Sequence, residues 1–419
     1  MTIVELSPVP SVEGQGPPTG TLVRSFLLTD ESSPGMACKI TSLGATLTHL
    51  WVPDSRNVPR DVVLGFDDIN AYRTQHDPYF GASVGRIANR IAQGQFSLPD
   101  EPAITYKLDR NNGPNSLHGG IDGLSFRNWD VELTGETPGD TGVQEGTALR
   151  LSVVSDHMDQ GFPGCMRVQC TYRLFNSTLE ITYEAQLIDQ GGDAQQQTTI
   201  VSLTNHAYFN LNGAPTPGST DKPSTAPVTN HEVKMLNIEH YLETDPTSVP
   251  TGKVLPLDEV PAMDFREPKM IGQDLAQTPG GGHGYDHFYP TRAAIRTPDE
   301  YRLSNDICRV TPVTLVEVRS PESGIRMTMA TTEPGFQLYT ANFVQLDSDQ
   351  IDTADSSQDV ETQFSHVGKA RWGYSPHSAF CLESSRFPDA INHPAWRDQV
   401  LLRQGDKYYS RTLFAFSTK

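Results

Sequence analysis

The feature that most constrains this chain is a succession of short segments in which apolar and polar residues alternate one for one, with little helical period anywhere. Ala37–Leu43 (ACKITSL), Ala148–Val154 (ALRLSVV), Met166–Leu174 (MRVQCTYRL) and Leu179–Ala185 (LEITYEA) are examples. In an extended chain successive side chains point to opposite faces, so a period of two puts one face into a core. Gly, Pro, Asn and Asp punctuate these runs, as turns between strands require. Strands this frequent, with no helices between them, favour antiparallel neighbours. The expected fold is all-β: a large antiparallel β-sandwich with few short helices. A chain of 419 residues has a length prior of two or three domains, but large all-β domains exceed it, and no internal repeat divides this one. One domain is expected over 21–419. Residues 1–20, rich in Pro, Gly and Ser, read as an N-terminal tail or edge segment. Gly213–Val228 and Gln345–Ser375 break the alternation by composition and read as long loops of the same sheet system.

Charge and cysteine usage narrow the function. The formal net charge is −19, without the clustered Lys and Arg that phosphate backbones need. Nucleic acid is excluded as a partner, and a neutral polar ligand is favoured. The five cysteines (Cys38, Cys165, Cys170, Cys308 and Cys381) are odd in number, widely spread and contain no CxxC. They indicate buried, reduced thiols of a cytoplasmic protein rather than a disulfide framework or zinc site. The first residues lack the basic and apolar regions of a signal peptide, and no run approaches the ~20 apolar residues of a membrane helix, so no membrane partner is expected. The sequon Asn176-Ser177-Thr178 therefore carries no weight.

Several segments hold residues suited to chemistry. In Val201–Leu211, strand parity places Thr204, His206, Tyr208 and Asn210 on one face and Leu203, Asn205, Ala207 and Phe209 on the other. Either a polar pocket wall or a structural histidine fits. Gly85–Ile91 brings Asn89 and Arg90 beside a glycine, and Asn115–Gly120 sets His118 before two glycines. These are donors able to grip hydroxyls, where glycine lets backbone approach a ligand. Gln337 is polar between Phe336 and Leu338. In Gly280–Phe288, His283, Asp286 and His287 invite a metal reading, which parity opposes because neighbours face opposite ways. Gly81-Ala-Ser83-Val-Gly85 fits the nucleophile elbow G-x-S-x-G, but that elbow needs a strand–turn–helix that this chain lacks. In Phe380–Pro394, Glu383 shares a face with Cys381, while Phe380 and Leu382 face the other way. A carboxyl on such a wall has its pKa raised by desolvation, which suits a general base.

Taken in order, GRIANRIAQGQF, NSLHGG, TNHAYFNLNG, GYDHFY, EPGFQLYTANF and CLESSRFPDAINHP resemble the aldose 1-epimerases, the galactose mutarotase family. The resemblance runs from about residue 20 to the C-terminus. It implies a galactose mutarotase-like supersandwich that interconverts the α and β anomers of free hexoses, galactose and glucose, with neither metal nor organic cofactor. Carried over position by position, it makes His206 the general acid and Glu383 the general base. Asn89, Arg90, His118, Asp286 and Gln337 would bind the sugar. His206 would need a raised pKa, and Asp286 is placed to supply it. The chain departs from the family two residues after Glu383, at Ser385, where glutamine is frequent, and Arg386 follows. Two alternatives stand beside the epimerase. One is a hexose-6-phosphate 1-epimerase, with Lys369, Arg371 and Arg386 as phosphate donors. The other is a non-catalytic carbohydrate-binding protein, which would not need His206 and Glu383 together. A small-molecule aldose is the expected partner, and a monomer or homodimer the expected state.

Overall fold

A computed structural model describes residues 1–11, 18–75, 78–134, 148–189, 197–214, 227–304, 311–346 and 374–418. Most of the loops at 213–228 and 345–375, together with Cys308, Lys369 and Arg371, lie outside them.

The alternating runs become strands of two nine-stranded sheets whose pairings are antiparallel. The first sheet runs Thr2–Glu5, Ser25–Thr29, Ala37–Thr41, Thr46–Pro53, Pro59–Val63, Tyr208–Ala214, Phe380–Ser385, Gly335–Tyr339 and Asp286–Pro290. The second runs Asp130–Thr134, Ala148–Ser155, Met166–Phe175, Thr178–Leu187, Tyr408–Ser417, Arg326–Thr331, Val313–Arg319, Glu232–Met235 and Lys269–Met270. Their inner faces share one core. Phe26, Ile40 and Leu50 come from the first sheet, and Leu151, Val168, Ile181 and Phe414 from the second. Met166–Phe175 shows how the sequence period is used. Met166, Val168, Cys170, Tyr172 and Leu174 are all buried in this core. Each large apolar side chain so buried contributes roughly 1.5–3 kcal/mol. The next strand follows through a two-residue turn, Asn176-Ser177, with φ of 46° and 55°, the geometry that matches strand twist in a tight hairpin. The α-helices among the described residues are Ala71–Thr74 and Arg292–Arg296, so the chain is all-β, as expected. No described helix is long and apolar enough to cross a membrane. The four described cysteines, Cys38, Cys165, Cys170 and Cys381, are buried and free.

Two readings of the sequence are closed here. Ser83 lies in the strand Ser83–Val84, with its Oγ 2.8 Å from the Tyr183 hydroxyl in the core, and no helix follows it. His287 is buried against Tyr241, on the face opposite Asp286, so His283, Asp286 and His287 do not converge.

Candidate active site

Four adjacent strands at one end of the first sheet carry the site. Their core-facing side chains are Phe209, Leu211, Phe336, Leu338, Phe380, Leu382 and Tyr289. The opposite face therefore presents Tyr208, Cys381, Glu383, Gln337, Tyr339 and Asp286. Cross-strand register sets their spacing: Gln337 stands opposite Glu383, Tyr339 opposite both Asp286 and Cys381, and Cys381 opposite Tyr208. Residues paired this way lie about 5 Å apart, within side-chain reach. The Gln337 Nε2 donates to the Asp286 Oδ1 at 2.7 Å.

His206 reaches this face from a break in the chain. The sequence reads as one continuous strand from Val201 to Leu211. The structure instead has Thr204–Asn205 and Tyr208–Ala214, with His206-Ala207 between them. The His206 N–H donates to the Ala82 carbonyl at 2.9 Å, and its own carbonyl accepts the Gly81 N–H at 3.0 Å. Asn205 holds the break, donating to the Gly81 carbonyl and accepting the Ala207 N–H. Parity survives: the His206 ring stacks on Tyr208 at 5.0 Å, while Leu203, Ala207 and Phe209 enter the core. Its Nε2 lies 3.5 Å from the Glu383 Oε1, and its Nδ1 3.8 Å from the Cys381 Sγ.

Opposite this sheet face, Arg90–Ile91 pairs with Ser116–Leu117. Asn89 and His118 both adopt left-handed backbone, φ 64° and 53°, which is uncommon without glycine. They lock each other: the Asn89 N–H donates to the His118 Nδ1 at 3.2 Å, and the His118 N–H to the Asn89 carbonyl at 3.1 Å. Gly119 follows because nothing larger fits. A Cβ there would stand 1.9 Å from the Gly85 carbonyl oxygen. The His118 ring meets His206 edge to face at 5.1 Å. Arg90 donates through Nε to the Asn112 Oδ1 at 2.9 Å, and its Nη2 lies 3.7 Å from the Asp286 Oδ2. All seven site residues expected from the sequence thus lie around one centre.

Burial sets the protonation states. Glu383 is pushed up to about 8, first by desolvation and then by the Asp286 charge, with Arg90 opposing. His206 is pushed down to about 4 by desolvation, against which its own carbonyl and Asp286 pull upward. Asp286 therefore acts on His206 in the expected direction, but burial outweighs it. Burial thus biases the unliganded site toward a neutral imidazole and a protonated carboxyl. His118 is also held neutral by burial. Because its Nδ1 accepts the Asn89 N–H, its proton sits on Nε2, making that nitrogen a donor to a ligand. The donor atoms of His118, His206 and Glu383 lie within 4.8 Å of one another, the spacing of a metal trio. The chemistry does not fit one. With its Nδ1 accepting the Asn89 N–H, His118 carries its proton on Nε2 and offers no lone pair there to a metal.

Three neighbours were not legible as site residues, although the Pro388-Asp389-Ala390 turn reads from the sequence as scaffolding for Glu383. Tyr79 sets its ring 4.9 Å from His118 and 6.2 Å from His206. Asn112 anchors Arg90, and Asp389 touches the Arg90 segment from behind. No local pattern marks Tyr79 or Asn112, because each sits in a turn without period. Ser385 is on the Glu383 face but buried, donating to the Arg386 carbonyl. Arg386 turns the other way into the core. Its Nε lies 3.1 Å from the Glu333 Oε2, and its guanidinium lies over the Tyr408 ring. It is not available to a phosphate.

A buried carboxyl–imidazole pair ringed by polar side chains lies on one face of a large β-sandwich, an arrangement suited to proton transfer. A family model of aldose 1-epimerases matches residues 27–415. Galactose mutarotase of Homo sapiens is 34% identical over 407 residues, covering 97% of this chain and 98% of its own. Aldose 1-epimerase of Haemophilus influenzae is 31% identical over 395 residues, covering 93% and 95%. The crystal structure of an aldose epimerase homologue from C. elegans matches with a TM-score of 0.70 at 25% identity, covering 93% of this chain and 98% of that one. The chain belongs to the aldose 1-epimerase family, and it is an isomerase.

Proposed function

We propose that the protein interconverts the α and β anomers of free galactose and glucose, with His206 and Glu383 as the acid–base pair. The observation that carries this is the buried contact of 3.5 Å between the His206 Nε2 and the Glu383 Oε1. Ring opening removes the proton of the C1 hydroxyl and adds one to the ring oxygen, breaking the C1–O5 bond. Glu383 as carboxylate takes the first, and His206 as imidazolium gives the second. The products are a protonated Glu383 and a neutral His206, the state that burial favours in the empty site. In the empty site, moving one proton from Glu383 to His206 prepares the reactive pair, and ring closure regenerates it. Both states thus hold the same number of protons. Rotation about C1–C2 and the reverse transfers close the ring on the other face. Arg90, Asn89, His118, Asp286 and Gln337 hold the remaining hydroxyls.

A neutral hexose fits better than a phosphorylated one. Arg90 is already engaged by Asn112 and Asp286, and Arg386 is in the core. The free, buried thiols support a cytoplasmic location. Polarimetry on fresh α-galactose, α-glucose and α-glucose 6-phosphate tests the reading. Acceleration of the first two over the buffer rate is expected. Acceleration of the phosphate ester alone would reassign the substrate, and none for any sugar would leave a binding protein.

The pair also predicts a pH profile. Protonating His206 below about 4, or deprotonating the neutral pair above about 8, changes its proton count. The kcat/KM, which reports the free enzyme, should hold a plateau between these values and fall about tenfold per unit outside it. Asp286→Asn removes a charge that raises both groups, so both limbs should move to lower pH. A profile whose limbs stay put would show that Asp286 does not act on the pair.

A further inference from the structure

The segment that carries Arg90 has little support of its own. Its strand, Arg90–Ile91, is two residues long and pairs on one side with Ser116–Leu117. On its other side stands Asp389, in the Pro388-Asp389-Ala390 turn that follows Glu383. The Asp389 N–H donates to the Arg90 carbonyl at 3.1 Å. Its Oδ1 accepts the Ala92 N–H at 3.0 Å. The two bonds flank Ile91 as those of a parallel neighbour would, with a carboxylate oxygen standing in for a backbone carbonyl. The carboxylate is itself held. The Asn392 Nδ2 donates to the same oxygen at 2.7 Å, and the His393 Nε2 lies 3.6 Å from Oδ2. Asp389 is buried and left-handed, φ 55°, a conformation that Asp, Asn and Gly tolerate best.

The geometry points to Asp389 as a positioning residue for sugar binding: it fixes the Arg90–Ala92 backbone so that the Arg90 guanidinium lies against Asp286 and the substrate. This rests on the reading of Arg90 as a sugar-hydroxyl donor. Glu383 has no comparable need of the turn. Its strand, Phe380–Ser385, is six residues long and pairs with Gly335–Tyr339 on one side and Tyr208–Phe209 on the other. The turn therefore acts on KM through Arg90 rather than on kcat through Glu383.

The test is a set of substitutions assayed by polarimetry on α-galactose, with folding followed by thermal unfolding. Asp389→Gly keeps the left-handed backbone and removes the acceptor, and Asp389→Asn keeps both. The Gly variant should raise KM about tenfold with kcat within about twofold, and the Asn variant should restore KM. Asn392→Ala, at an exposed position, should shift KM the same way by about threefold, which covers a Gly variant that does not fold. Arg90→Met is the control for the underlying reading and should raise KM at least as far as Asp389→Gly. If Arg90→Met leaves KM unchanged, the role of Arg90 fails and the proposal with it. If Arg90→Met raises KM but Asp389→Gly and Asn392→Ala do not, the proposal alone is overturned. A fall in kcat at constant KM, or equal damage from Gly and Asn, overturns it as well.

Discussion

Replacing Glu383 by Gln is expected to lower kcat about 10²–10⁴-fold, the usual contribution of one positioned proton-transfer group. Glutamine fills the same buried volume and keeps a hydrogen-bonding end beside His206, so the strand and the sugar site stay built. What it cannot do is exchange a proton with the C1 hydroxyl. His206→Asn should cost a similar factor for the complementary reason, because no group then hands a proton to the ring oxygen. The two losses should not multiply in the double variant. In the proposed mechanism the pair passes one proton back and forth, so a partner without its other half has already lost its function. Galactose binding by calorimetry should stay within about tenfold of wild type in each single variant, since the proposed binding groups are Arg90, His118, Gln337 and their neighbours. A Glu383→Gln protein with more than about a tenth of the wild-type kcat would remove Glu383 from the mechanism.

The second large effect lies outside the site. Arg386→Met should destabilise the fold by about 3–5 kcal/mol, because it leaves the fully buried Glu333 carboxylate without its cation. The loss is not that of a surface ion pair, since both side chains are 0% exposed. Adding Glu333→Gln to the same protein should recover most of the stability. The amide is neutral, and it still accepts the Tyr408 hydroxyl that now donates to Oε1 at 2.8 Å. Denaturant unfolding of the two single variants and the double reads this directly. The kcat/KM of the folded Arg386→Met protein on galactose should match wild type. A selective loss of turnover on a hexose 6-phosphate would contradict the core placement of Arg386 and revive the phosphate reading.

How far the sequence reaches depends on whether a property is local. Alternation of side chains belongs to any extended strand, so it assigned Glu383 and Cys381 to one face and Phe380 and Leu382 to the other. It also separated Asp286 from His287, and in the structure each of these pairs lies as parity requires. It failed at His206 only in detail. The strand breaks there because the Gly81 N–H and the Ala82 carbonyl capture the His206 backbone and the Asn205 side chain holds the Gly81 carbonyl, contacts made across more than a hundred residues of chain. It said nothing useful about Arg386, the residue after the site face ends. An arginine next to a catalytic motif reads as a ligand donor until its buried partner, Glu333, is seen.

The sequence by itself determined the strand-rich class, the faces on which His206, Glu383 and Asp286 would lie relative to their neighbours, and a set of motifs that resembles one enzyme family. Only the tertiary structure decided which strands became neighbours. That put Gln337 opposite Glu383, brought Arg90 to Asp286 and placed Asp389 behind Arg90. It also set burial against the raised His206 pKa that the sequence reading expected, while the Glu383 pKa is raised as expected. A pKa depends on how much water and which charges surround a group, and those are set by packing between distant segments. Burial favours a protonated Glu383 and a neutral His206, so the proposed acid and base differ in which of them holds one shared proton.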